Sequence, residues 1–252
     1  MVPISIVILT KNEANNIARC LDSVNGLSDD ILVIDNGSTD ATVEIAKSHG
    51  AHVHQVKWEG YAATKNKGNT FSKYDWILSL DADEELDKLM CDDIQSKFSK
   101  PIAHTTVFQL QRKMIYCGKI LRYGSVAKEF RLRLFNKLVG QWNDNIVHED
   151  LKFSELVQTK TLNGYLFHHS YQSQLEHIER LKKYAQLSAN QMSQLGKKSN
   201  FVKLNLSPLF NFIKNYIFRL GFLDGSLGFQ FSMNEMGYVK QKYQFLKRLE
   251  SK

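Results

Sequence analysis

The chain has 252 residues, 43% of them hydrophobic, and a formal net charge of +7, which suits one large globular domain or a domain with an appendage. Its three cysteines, Cys20, Cys91 and Cys117, stand far apart with no ligand spacing, which excludes a disulfide framework or a zinc site and fits a reducing cytosol. No apolar stretch approaches the ~20 residues of a membrane-spanning helix.

The charge is unevenly spread. Residues 1–96 carry 8 lysines and arginines against 16 aspartates and glutamates, and residues 97–252 carry 25 against 10. A basic half meets nucleic acid, anionic lipid or a phosphorylated substrate, or is simply a set of solvated helix faces.

Taken in order, residues 4–9 predict a first strand. No basic residue precedes this run, and it ends in Thr10-Lys11-Asn12-Glu13, so it reads as a strand and not as a signal peptide. Ile17, Cys20, Leu21 and Val24 fall at i, i+3, i+4 and i+7, a helix with one apolar stripe that Asn25-Gly26 stops. Residues 31–34 predict a second buried strand, and the turn formers Asp35-Asn36-Gly37-Ser38-Thr39-Asp40 lead into a helix over 41–48. A third strand over 51–56 and a helix over 61–72 follow.

Trp76-Ile77-Leu78-Ser79-Leu80 then reads as a strand buried on both faces, and Asp81-Ala82-Asp83-Glu84-Glu85 arrives at its C-terminal end. Two readings follow from these residues alone. Ligands bind at that end of open α/β sheets, and residues two apart in extended backbone point the same way, so Asp81 and Asp83 could face one divalent ion. Alternatively, the acids form the first turn of the next helix, where the macrodipole favours them. Alternating strands and helices predict a doubly wound, mostly parallel sheet.

Residues 3–90 resemble the nucleotide-binding half of family 2 glycosyltransferases, the inverting family built on the GT-A fold. The resemblance rests on four pieces in order: Ile8-Leu9-Thr10-Lys11-Asn12-Glu13, Val33-Ile34-Asp35-Asn36-Gly37-Ser38-Thr39-Asp40, Gly60-Tyr61-Ala62-Ala63-Thr64-Lys65-Asn66-Lys67-Gly68, and Leu80-Asp81-Ala82-Asp83-Glu84. It implies a UDP-sugar donor site. Thr10, Asn12, Glu13 and Asp35 would line the nucleotide pocket, and Lys65 would lie near the base or diphosphate. Asp83, with Asp81, would hold Mg²⁺ or Mn²⁺ against the leaving diphosphate. One departure is Asn36, where the family commonly has a second aspartate. A glycine fingerprint for a dinucleotide and a P-loop are both absent.

Beyond residue 96, the stretches 106–116 and 129–135 read as strands of a mixed extension that would carry the acceptor site. Inversion needs a base for the acceptor hydroxyl. In Trp142-Asn143-Asp144-Asn145-Ile146-Val147-His148-Glu149-Asp150, the piece Val147-His148-Glu149 resembles a subgroup acting on the lipopolysaccharide inner core, which implies Glu149 as base with Asp150 second. Capping of a helix is the competing role for this acidic pair. His148 would line the site. Leu166-Phe167-His168-His169-Ser170-Tyr171 resembles a stretch of the same subgroup and makes His169 a diphosphate-contact candidate.

A helix is predicted over 174–194, with a break at Gly196-Lys197-Lys198-Ser199-Asn200. Residues 201–223 mix phenylalanines with Lys203, Lys214 and Arg219, as in an amphipathic helix at a membrane interface or one packed on the catalytic domain. Gly221, Gly225 and Gly228 predict a turn before the basic C-terminal segment. The expected layout is a GT-A domain over 1–196, with a nucleotide-sugar half (1–96) and an acceptor half (97–196), and a helical extension over 197–252. The expected activity is transfer of a hexose, glucose foremost, from a UDP-sugar to a lipopolysaccharide core on the cytoplasmic membrane face. Capsule, teichoic-acid or protein glycosylation is the rival within the class, and a catalytically inactive sugar-nucleotide binder is another. A nucleic-acid-binding protein is the rival outside it, disfavoured because no RNP, helix-turn-helix or zinc-finger pattern accompanies the charge.

Overall fold

The computed structural model describes residues 1–143 and 150–250. They form two compact units, residues 1–112 with 129–168, and residues 113–128 with 169–252. The boundary expected at 196/197 lies inside the second.

In the first unit β1 (Ile4–Thr10), β2 (Asp30–Asp35), β3 (His52–Gln55) and β4 (Trp76–Asp81) are parallel and linked by α1 (Ile17–Ser23), α2 (Thr42–Ser48) and α3 (Tyr61–Phe71). Side chains alternate across a strand, and both faces here are apolar. Ile4, Ile6 and Ile8 of β1 join Val33, Leu78 and Leu80 in one core with Ile17, Cys20 and Leu21 of α1. Val7 and Leu9 join Leu32, Ile34 and Ile77 in the other, under Ala62 of α3. Each such fully buried aliphatic contributes roughly 1.5–3 kcal/mol. The helix under the second face lies unusually low, because a Cβ on its Gly68 would sit 2.7 Å from Val7 Cγ1 and 2.8 Å from Ile34 Cγ1.

The chain after β4 departs from simple alternation. Glu84 and Glu85 stand in a short strand, β5 (Glu84–Leu86), and not in a helical first turn. The helix α4 (Lys88–Lys97) begins later, capped by Asp87, whose carboxylate accepts from Met90 N–H at 2.8 Å. Of the two readings of these acids, the helix-turn one is corrected. β6 (Thr106–Tyr116) is the long strand expected there, and β7 (Lys119–Ile120) folds back on its end. β8 (Glu129–Asn136) runs antiparallel between β4 and β6. The hairpin of β9 (Gly140–Trp142) and β10 (Leu151–Phe153) follows, then β11 (Gln158–Thr161) beside β6 and β12 (Leu166–Tyr171) antiparallel to β5. The strand order is β3-β2-β1-β4-β8-β6-β12-β5.

The second unit is mainly helical. α5 (Gln174–Gln194) matches its predicted span and buries Leu181, Ala185 and Ala189 in one stripe. α6 (Ser207–Ile213) is flanked by π-helical turns at Val202–Leu206 and Lys214–Phe218. α7 (Gly225–Glu250) closes the chain. Gly228, expected in a turn, lies inside α7, where a Cβ would come within 2.0 Å of the Gly221 carbonyl oxygen. No helix among the described residues is long and apolar enough to cross a membrane.

Candidate active site

The C-terminal ends of the parallel strands gather the predicted residues of the first unit. Thr10 closes β1, is 3% exposed, and its hydroxyl has no hydrogen-bond partner among the described residues. Its register partner on β2 is Asp35, fully buried. The Asp35 carboxylate accepts from the N–H groups of Gly37 and Ser38 at 3.1 Å and from the Ser38 hydroxyl, so it also builds the turn that follows it. Asn12, at φ 55°, stitches the first loop to the second: its N–H donates to Ser38 Oγ at 2.8 Å, and its side-chain oxygen accepts from Thr39 N–H at 2.8 Å. Glu13 donates its N–H to Thr42 Oγ1 at 2.8 Å and accepts from Asn16 Nδ2 at 2.7 Å. Asn12 and Glu13 thus act at least as loop scaffolding around the Thr10 and Asp35 positions.

The two carboxylates after β4 have different surroundings. Asp81 lies 3.1 Å from Lys65 Nζ and 2.7 Å from Arg133 Nη2. Burial pushes the Asp81 carboxyl up, but Lys65 and Arg133 more than reverse this and hold it well below the usual carboxylate range. Arg133 is a residue that motif reasoning missed. Its Nη2 also bonds Glu84 Oε1 at 2.7 Å, Glu84 Oε2 accepts from Asp81 N–H at 3.0 Å, and Arg112 Nη1 approaches Glu84 at 3.6 Å. Glu84, with a fully buried side chain, therefore clamps the start of the Asp81-Ala82-Asp83 turn from beneath. Cys20 lies under the same turn. Its thiol is pushed well above the ordinary range by burial first and then by Glu84, Asp83 and Asp81, which leaves it protonated.

Asp83 is paired with an imidazole. Its Oδ2 is 3.2 Å from His168 Nε2, and both side chains are partly exposed, at 18% and 19%. The β5–β12 register sets His168 opposite Glu84, which brings it to the turn. His169, the histidine singled out by resemblance, is its strand neighbour. Adjacent residues of a strand point to opposite faces. Alternation along β12 was the available signal that His168 and His169 face opposite ways.

These donors suit a divalent ion. Asp83 and His168, 3.2 Å apart and both partly exposed, would offer one oxygen and one nitrogen to such an ion. No group of three or more His, Cys, Asp or Glu able to hold a metal occurs among the described residues. Such a pair leaves most of the shell to substrate phosphates and water, as Mg²⁺ or Mn²⁺ sites commonly do.

Towards the β9–β10 hairpin, Lys65 Nζ lies 4.7 Å from the centre of the Trp142 ring. Asn66 and Trp142 exchange two hydrogen bonds at 2.9 Å, side-chain amide to backbone N–H and C=O. Asn143 N–H donates to the Asp150 carbonyl at 2.9 Å, and Asp150 N–H to Asn143 Oδ1 at 3.1 Å. Asp150, exposed, thus stands on a hairpin tied through Trp142 and Lys65 to Asp81. Glu149 and His148 lie outside the described residues.

The sequence model of the family described as "Glycosyl transferase family 2" matches residues 5–152, more than half of the chain and all of the site residues described above except His168 and His169. The chain is a family 2 glycosyltransferase. Its first unit is the α/β arrangement of the GT-A fold. This glycosyltransferase is 32% identical over 239 residues to the "Uncharacterized glycosyltransferase RP128" of Rickettsia prowazekii (strain Madrid E), covering 91% of this chain and 81% of that protein. It is 27% identical over 225 residues to the "Lipopolysaccharide core biosynthesis glycosyltransferase LpsC" of Rhizobium meliloti (strain 1021), covering 87% and 82%. Among solved structures, it aligns with the glucosyl-3-phosphoglycerate synthase from Mycobacterium tuberculosis in complex with Mn²⁺ and UDP-glucose. That match has a TM-score of 0.36 and 22% identity over 46% of this chain and 44% of that one.

Proposed function

We propose that this glycosyltransferase moves a hexose, glucose foremost, from a UDP-sugar to a hydroxyl of a lipopolysaccharide core acceptor with inversion, working peripherally on the cytoplasmic face of the membrane. The observation that carries the reading is the Asp83–His168 pair at the end of β4, beside an Asp81 already neutralised by Lys65 and Arg133. The likeness to LpsC supports the acceptor class.

Asp83 and His168 would hold Mg²⁺ or Mn²⁺. When bound, that ion supplies Lewis-acid neutralisation of the charge that builds on the departing diphosphate. Asp81 serves the site by holding Lys65 and Arg133. Thr10 offers its unpartnered hydroxyl to the nucleotide, and Asp35 accepts from the uracil. Glu149, or Asp150 in second place, takes the acceptor proton.

The test is thermal stabilisation of the protein by a set of UDP- and GDP-sugars with and without Mn²⁺, since a ligand that binds only the folded state raises its stability by mass action. UDP-sugars with Mn²⁺ are expected to stabilise, and one of them to support transfer to a deacylated core oligosaccharide. Stabilisation by none of them removes the reading.

Two variants divide the roles. Asp35→Asn is expected to weaken UDP binding about tenfold or more in calorimetry, the size of a hydrogen bond to a charged group. The loss should be equal with and without Mn²⁺, because Asp35 addresses the base; a loss seen only with Mn²⁺ contradicts this assignment. Glu149→Gln is expected to lower turnover by ~10²–10⁴-fold at unchanged UDP affinity, the signature of a general base. Asp150→Asn should be milder, and the order reverses if Asp150 is the base.

A further inference from the structure

The second unit carries an exposed apolar surface that its own fold leaves uncovered. Along the helical run from 201 to 218 most outward positions are apolar: Phe201 is 75% exposed, Phe210 62% and Phe218 73%, with Leu206, Leu209 and Ile217 at half or more. The inward positions include Pro208 and Asn215. A helix in a globular protein normally shows water the reverse pattern, and a contiguous outward apolar face marks a docking surface. The surface continues through Phe222 and Leu223, 44% and 51% exposed.

Its charge decides what docks there. The second unit has 17 lysines and arginines against 5 aspartates and glutamates, and residues 180–223 contain 8 basic residues and no acidic one. Exposed Lys214 falls one helical turn from both Phe210 and Phe218, and exposed Arg219 follows them. Beside Leu223 a depression of about 550 Å³ is lined by Lys119, Arg122 and Tyr123. The one carboxylate there, Asp224, accepts from the backbone N–H groups of Arg122 and Tyr123 at 3.0 and 2.9 Å. Two copies of so cationic a face repel each other, which disfavours self-association. Aliphatic Leu206, Leu209 and Ile217 stand among the exposed phenylalanines, a mix suited to acyl chains.

We propose that this surface docks on an anionic lipid bilayer, with the side chains of Phe201, Phe210, Phe218 and Phe222 at the acyl boundary. Lys214 and Arg219 meet headgroup phosphates there, and Lys119 and Arg122 take a headgroup in the depression. This extends the glycolipid-acceptor reading, giving it the means by which the enzyme reaches a membrane-held acceptor.

The experiment is co-sedimentation of the full chain with vesicles of phosphatidylcholine alone or mixed with phosphatidylglycerol, alongside sedimentation velocity and Mn²⁺–UDP-sugar binding. The wild type is expected to bind the anionic vesicles, more weakly as salt rises, and the neutral ones far less. Lys214→Gln with Arg219→Gln should lower binding to anionic vesicles about 25-fold, near fivefold for each cation lost at the surface. Phe210→Ser with Phe218→Ser, both at exposed positions, should lower it at least tenfold, and both pairs should retain donor binding. The proposal falls if the wild type binds both vesicle types equally, or if the phenylalanine pair abolishes self-association instead of vesicle binding. It also falls if an oligonucleotide binds in preference to vesicles. Vesicle binding without any donor binding would remove the transferase reading and leave the docking surface standing, whereas donor binding without vesicle binding would do the opposite.

Discussion

Asp83→Ala is expected to reduce sugar transfer by on the order of 10³-fold or more, and to abolish the increment that Mn²⁺ adds to UDP-sugar binding, with little change in stability. The size follows from removing a group whose service is to charge that develops only as the diphosphate leaves. Stability should hold because Asp83 is partly exposed and its described partner is the equally accessible His168. His168→Ala should show the same pattern, weaker in degree, since the carboxylate supplies the charge and the imidazole only a lone pair. Asp81→Asn offers the contrast: Lys65, 1% exposed, and Arg133, 6% exposed, would each lose a carboxylate partner, so that variant should lose stability as well as activity. Calorimetric UDP titrations with and without Mn²⁺, paired with thermal melts, separate the cases. If Asp83→Ala melts as low as Asp81→Asn and still binds UDP more tightly with Mn²⁺, Asp83 is a structural residue and not a metal ligand.

The largest stability effect is expected at Arg133. Arg133→Met leaves buried Glu84 with the Asp81 N–H at 3.0 Å and, among the described cations, Arg112 at 3.6 Å, and takes from Asp81 one of the two described cations beside it. Breaking a buried ion pair from one side costs roughly 3–5 kcal/mol, a fall of about 10 °C in melting temperature at this chain length. Removing both charges in Arg133→Met with Glu84→Met should recover much of it, because no buried carboxylate is then left unpaired. A double-mutant cycle with no coupling between the two positions would show that Arg133 does not support the turn. The pH dependence has a definite sign. Asp81 is held below its unfolded value of 3.8, so its contribution is full above that value and is lost as pH falls beneath it, where the unfolded chain binds the extra proton. Arg133→Met should therefore show a shallower acid limb below about pH 4 than the wild type.

Local sequence carried the first half of the fold well, for a physical reason. β1, β2 and β4 are buried on both faces and read as near-continuous apolar runs, while Asp35-Asn36-Gly37 announces the turn after β2. What local pattern could not carry was pairing between distant strands. Arg133 lies in the alternating run Arg131-Leu132-Arg133-Leu134, which looks like an ordinary half-exposed strand. Only the antiparallel register of β8 on β4, with Leu134 opposite Leu78, brings its guanidinium to Asp81 and Glu84. Acids clustered after an apolar strand were the clue that a buried cation was needed. His168 escaped for the same reason: alternation along β12 gives each histidine its own face, but the register with β5 decides which face meets Asp83. Glu84 was read in one account as a helix-start residue because helix dipoles favour acids there, and its pairing with Arg133 overrode that preference.

The two hydrogen bonds between Asn66 and Trp142 bear on how such enzymes can be recombined. A side-chain amide on α3 occupies the N–H and C=O of β9 as a neighbouring strand would, so the hairpin that leads to Glu149 and Asp150 is fastened to the helix that carries Lys65. Exchanging residues 140–153 for those of a relative with a different acceptor would transplant half of a joint. A graft that brings residues 65–66 along with the hairpin keeps the joint whole, so these two segments, far apart in sequence, have to be exchanged together.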